Sequence, residues 1–174
     1  MLIASQKRKE NIAEYLLYMF QIEDIIRAND FDIGKIEKNI INKFPQPYSV
    51  QRDIRNWYSS LILLMDKNNL RETGHLPVIQ LLIDKIETYH KHLLNDSGEF
   101  SYHQIYLNAK PSIEDLKSKS DKTKGDIELC LNGLYGLLLL RLAKKNISPE
   151  TNQAFQFISK FLAVLSSKYL SFEN

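Results

Sequence analysis

Two short stretches set a glutamate three residues ahead of a histidine: Glu87 and His90 in ETYH, Glu72 and His75 in ETGH. On a helix that spacing stacks carboxylate and imidazole on one face. Helical bundles that hold paired iron ions use the pattern twice, beside two further glutamates. The second copy here crosses Gly74, a helix breaker, so its two groups do not share a regular helix face. Glu87 and His90 flank the apolar stripe of Ile86 and Tyr89 and are expected at its solvent edge. No metal and no cofactor is expected on these grounds.

Arg71 and His75 suggest a different chemistry. In RETGH they stand with three residues between them. The pair resembles the Arg-then-His motif of HEPN-type helical ribonucleases, where both groups act on a phosphodiester, although that family usually separates them more widely. Read from the residues alone, the stretch is a helix C-terminus. Arg71 then lies near the negative end of the helix, and Gly74 takes the left-handed cap.

A third set lies in NIAEYLLYMFQIEDIIR, from Asn11 to Arg27. Asn11, Glu14, Tyr18 and Gln21 recur at spacings of three, four and three, which is a helical stripe. Apolar stripes flank it on both sides: Ile12, Leu16, Met19 and Ile26, then Ala13, Leu17 and Phe20. Ionised groups enclosed by helices must be paired or lose their hydration at heavy cost. Glu14 is therefore expected in a polar seam facing into the fold. Arg52 and Arg55 are its expected partners, because a guanidinium can meet a carboxylate with two parallel hydrogen bonds. Three outcomes stay open for this seam: a buried structural network, plain exposure, or a ligand pocket around Glu14, Tyr18 and Gln21 with His75 or the arginines contributing. Glu23, one turn ahead of Arg27, is expected to pair with it.

The elements that would position these groups are helices. The first is expected from about Ser5 to Ala28. A second follows NDFD, capped by Asp30 or Asp32, with Ile33, Ile36, Ile40 and Phe44 inward. The prolines of FPQPYS interrupt the chain. Ser49 then caps a third helix, whose buried face is Ile54, Trp57, Tyr58, Leu61 and Met65. After ETGHLP a fourth helix opens with Pro77 at its first position and carries Ile79, Leu82, Ile83, Ile86, Tyr89 and Leu93 at helical spacing. A shorter helix with Tyr102, Ile105 and Tyr106 is expected to stop near Lys110 and Pro111, with room for another after Ser112. Lys117 to Asp126, KSKSDKTKGD, has no apolar residue and is expected as a mobile linker within the domain.

The segment from Ile127 to Lys145 is the most apolar and should lie at the centre, with Gly133 and Gly136 admitting a close neighbour. NISPET opens the last helix, with Ser148 as its cap, Pro149 at the first position and Glu150 near the positive end. Ala154, Ile158, Phe161, Leu165 and Tyr169 form its inner face. No segment alternates like a strand, and no fixed-period repeat is present. The expected fold is all-α: an antiparallel bundle of six to seven helices, one domain over residues 1–174.

Composition narrows the function classes. Lys and Arg number 23 against 21 Asp and Glu, so no strong attraction to nucleic acid or an anionic membrane is expected. The longest apolar run, Leu134 to Leu140, falls well short of the roughly 20 residues a membrane span needs. One cysteine, Cys130, precludes an intramolecular disulfide or a cysteine-based zinc site and is expected as a small buried hydrophobe. MLIASQKRKE lacks the apolar core of a signal peptide, and a cytoplasmic protein is expected. Neither a phosphate-binding glycine loop nor a Gly-x-Ser-x-Gly elbow occurs.

ENIAEYLLYMFQIEDIIRA, the junction GHL and ELCLNGLYGLLLLRLAKKNISPET together resemble an uncharacterised bacterial domain-of-unknown-function family, typical of Bacteroidetes. The resemblance spans nearly the whole chain. It implies a small, cytoplasmic, helical protein and supplies no activity or catalytic residue. With catalytic motifs missing, the expected function is a non-enzymatic helical module that binds a protein partner or itself. The alternative is a small-molecule pocket around Glu14, Tyr18 and Gln21.

Overall fold

The computed structural model describes residues 2–43, 45–120 and 125–173. Among the described residues the chain forms eight α-helices and no strand. These are α1 (Leu2–Glu10), α2 (Ile12–Ala28), α3 (Ile33–Asn39), α4 (Tyr48–Lys67), α5 (Pro77–Asn95), α6 (Phe100–Ser118), α7 (Asp126–Leu142) and α8 (Pro149–Glu173), with a 3-10 turn at Ile41–Lys43. The all-α expectation holds, with eight helices in place of six to seven, and two helix boundaries differ from expectation for local reasons.

Asn11 splits the long N-terminal segment. Its backbone is extended (φ −155°, ψ 108°), and its side-chain oxygen accepts from the N–H groups of Ala13 and Glu14, both at 3.1 Å. A short amide that can satisfy the free N–H groups of a helix start favours a cap over a helix interior. Pro111 has the opposite outcome: α6 runs straight through it. A proline inside a helix forfeits one backbone hydrogen bond. Tyr102 and Ala109 before it and Ile113 after it are buried, however, and α6 against α8 is the most extensive helix pair in the fold. Tertiary burial outweighs the local penalty.

The core follows the apolar stripes. Ile12, Leu16, Met19 and Ile26 of α2 are buried, as are Ile79, Ile83 and Ile86 of α5 and Ile158, Phe161, Leu165 and Tyr169 of α8. The helix α7 packs against α2, α5, α6 and α8, so its central place holds. Its last turn is not enclosed, because Leu139, Leu140 and Leu142 are exposed, whereas Leu137 before them is still buried. A methyl group on Gly133 would lie 2.9 Å from Leu116, whereas one on Gly136 would meet nothing within 4 Å. Close approach therefore needs Gly133 alone.

Asp32 caps α3 through the N–H groups of Gly34 (2.7 Å) and Lys35 (3.2 Å). Ser148 caps α8 through Thr151 N–H at 3.1 Å. Ser49 does not cap α4, which starts after Pro47 without a side-chain cap. Of the expected linker, Lys117 and Ser118 finish α6, Asp126 opens α7, and residues 121–124 lie outside the described residues, as does Phe44.

Candidate functional site

The polar groups of α2 sort onto two faces. On the first, Glu23 is completely buried, with 0% of its surface exposed. Its Oε1 accepts the Leu76 N–H at 2.8 Å, and its Oε2 lies 2.6 Å from Nδ1 of His75. A carboxylate can only accept, so Nδ1 carries the proton of this bond. The imidazole stacks on Phe20, ring centroids 3.8 Å apart. One turn on, Arg27 donates from Nε to the Leu70 carbonyl at 3.1 Å and from its terminal nitrogens to the Gly74 carbonyl and to Asp24. The second Asp24 oxygen accepts the Tyr135 hydroxyl of α7 at 2.6 Å. Burial and this carboxylate together push the Tyr135 phenol well above its ordinary range.

These bonds clasp the α4–α5 connection, where Gly74 adopts φ +92°, onto α2. Glu23 thus pairs with His75 and not with Arg27, because Asp24 and two loop carbonyls occupy the guanidinium. Arg71 binds elsewhere, at 2.6 Å from Asp66 and stacked over Phe31. Arg71 and His75 are engaged by different partners, each held by its own contacts.

The second face of α2 presents Tyr18, Gln21, Ile22 and Ile25, the i, i+3, i+4, i+7 positions of one helical stripe. Across from it stand Val50, Ile54, Trp57 and Tyr58 of α4, again on one stripe. Between the two stripes is a cavity of about 390 Å³, its wall completed by Ile40, Ile41, Gln46 and Ile3. It exists because α4 packs chiefly on α3 and the 3-10 turn, which holds it off the middle of α2. Among the described residues, no Asp, Glu, Lys, Arg or His belongs to this lining. Burial raises the Tyr18 phenol, and burial together with neighbouring Tyr18 raises that of Tyr58. Both are neutral hydroxyls at physiological pH.

The family model for a domain of unknown function, DUF4924, matches residues 1–174. The chain belongs to the DUF4924 family. No curated protein and no solved structure matches it. This DUF4924 chain has no described helix long and apolar enough to cross a membrane.

The expected polar seam is not formed. Asn11 caps α2. Glu14 is exposed (side chain 57%) and bonds Lys7 of α1 at 2.7 Å. Arg55 meets Glu37 of α3 at 3.2 Å, and Arg52 lies 4.0 Å from its neighbour Asp53 on the surface. Two causes act together: the chain breaks at Asn11, putting Glu14 on the first turn of α2, and α4 turns Arg55 toward α3 and Arg52 to the surface. Tyr18 and Gln21 do reach a cavity, and His75 does enter a buried network, but with Glu23.

Glu87 and His90 are not at a solvent edge either. His90 is 2% exposed, and its Nδ1 is 2.6 Å from the Tyr102 hydroxyl. Glu87 caps α7 by accepting Ile127 N–H at 2.9 Å, in the space a side chain on Gly125 would fill. Their helix turn faces the α6–α7 side of the core. Sequence spacing missed the Glu23–His75 bond because the partners are 52 residues apart. The signal present was a charged residue, Glu23, beside the Met19–Ile26 apolar stripe.

Proposed function

We propose that this protein binds a small, largely apolar molecule in the cavity between α2 and α4, and that it does so as a non-enzymatic cytoplasmic binding protein. One observation carries this: two facing apolar stripes border about 390 Å³ of space instead of closing on each other. Protein interiors normally pack to the density of organic crystals, and wall atoms without neighbours forfeit dispersion energy. The volume lies within the range of about 300–1,000 Å³ typical of small-molecule sites. The polar groups on offer are phenols and amides, which suit orientation of a ligand. The geometry favours this pocket over the protein-interaction module that missing motifs alone suggested.

Nile red, a neutral dye that brightens in apolar surroundings, tests it. Saturable binding at one dye per chain is expected, abolished by Ile54→Trp, which fills the cavity, with the helical circular dichroism retained. Dye binding that Ile54→Trp leaves unchanged would refute the proposal.

A further inference from the structure

Resting on the binding reading above, we infer that the cavity's ligand is an uncharged molecule with an aliphatic or aromatic body and one hydrogen-bonding end, such as a hydroxyl or carbonyl, held by Tyr18, Tyr58 and Gln21. The body is dictated by the wall. Ile22, Ile25, Ile54 and Trp57 offer dispersion contact and no hydrogen bond. The neutral charge follows from the lining's described residues, which include no ionisable acid or base other than the two phenols. An ion moved from water into such a wall loses its hydration with no counter-charge to replace it.

The nearest cations that sequence reasoning offered are otherwise engaged. Arg55 lies 3.2 Å from Glu37, and Arg52 is exposed beside Asp53. Neither lines the cavity.

The polar end follows from what the two tyrosines and Gln21 lack. None of the three side chains has a hydrogen-bond partner among the described residues. Yet no buried side-chain nitrogen or oxygen among them is left unsatisfied. Their polar atoms therefore keep solvent access, and all three residues border this cavity. Tyr18 and Gln21 sit three residues apart on α2, and Tyr58 faces them from α4, close enough for its phenol to feel Tyr18. Two hydroxyls and one primary amide provide both donors and acceptors. They can meet a neutral hydroxyl or carbonyl from two sides.

Displacement of bound Nile red by three probes of equal chain length tests the inference: 1-decanol, decanoate and 1-chlorodecane at pH 7.5. Decanol is expected to displace the dye at a concentration at least tenfold below that of decanoate. The double variant Tyr18→Phe with Tyr58→Phe should weaken decanol about fivefold, one hydrogen bond's share, and leave chlorodecane unchanged. Simple partition into grease would not make that distinction. Decanoate displacing as well as decanol, or decanol unaffected by the double variant, would overturn the inference while leaving the binding proposal intact. Dye that binds but yields to none of the three also overturns it. Failure of Nile red to bind at all would remove the binding proposal itself, and this inference with it.

Discussion

Replacing Glu23 with alanine should be among the most destabilising single changes in this chain. The carboxylate is fully buried and serves two donors, Leu76 N–H at 2.8 Å and His75 Nδ1 at 2.6 Å. Its loss leaves the backbone N–H of Leu76, itself 2% exposed, without an acceptor, at a cost of about 1–3 kcal/mol. The imidazole loses its partner as well, although its side chain is 19% exposed and can regain some water. Hydrogen bonds to a carboxylate are worth about 1.5–3 kcal/mol each; partial rehydration of His75 puts the expected total for the two at about 3 kcal/mol. Glu23→Gln keeps an acceptor for Leu76 N–H and should cost about 1 kcal/mol, the share of one hydrogen bond. Glu14→Ala removes only an exposed pair and should stay within about 0.5 kcal/mol. Urea unfolding followed by circular dichroism gives all three values from midpoints at constant slope. Equal effects of Glu23→Ala and Glu14→Ala would refute the reasoning.

Other outcomes follow from particular contacts. Gly136→Ala should stabilise by about 0.5–1 kcal/mol, since alanine is the better helix former and its methyl meets nothing within 4 Å. Gly133→Ala should fall below that gain or destabilise, because its methyl would lie 2.9 Å from Leu116 and 3.0 Å from Phe155; thermal melts of the two variants compare them directly. Gly125→Ala should loosen the start of α7, since the methyl would lie 2.6 Å from the Glu87 carboxylate that caps it. Slower-exchanging amides near Ile127 in hydrogen exchange would contradict this. Burial, opposed by the Glu87 and Asp126 carboxylates, holds the His90 imidazole below its ordinary 6.5. The unfolded chain then takes up that proton first, so the stability His90 contributes is present above pH 6.5 and is lost as pH falls from there through the folded value. His90→Phe should flatten the urea midpoint between pH 7.5 and 5; an unchanged slope would contradict the assignment.

Much of the scaffold was legible from periodicity. The stripes of α2, α5 and α8 and the caps at Asp32 and Ser148 appear where helical spacing and capping chemistry put them. Two breaks in that legibility have physical causes. Asn11 fits one more position of the helical stripe, although a side chain able to bond N–H groups two and three residues on can as readily begin a helix. Pro111 carries the local signal of a helix stop, although burial on both sides carries the helix past it. The site was legible only in part. The spacing of Tyr18, Gln21, Ile54 and Trp57 turns all four inward, but spacing does not distinguish a side chain packed in a core from one lining a cavity. That depends on where α3 and the 3-10 turn hold α4. Glu14 and Glu23 show the same limit, since both lie on α2 among apolar residues and only tertiary packing decides which one is enclosed.

Trp57 is the single tryptophan of the chain and it lines the cavity, so its fluorescence reports directly on whether the space between α2 and α4 takes a ligand. Titration with 10-bromodecanol, whose bromine quenches an indole on contact, should quench Trp57 along a saturable curve with an endpoint of one ligand per chain. Quenching that rises linearly without saturation would mean chance collision from solvent, and would contradict a binding cavity between these helices.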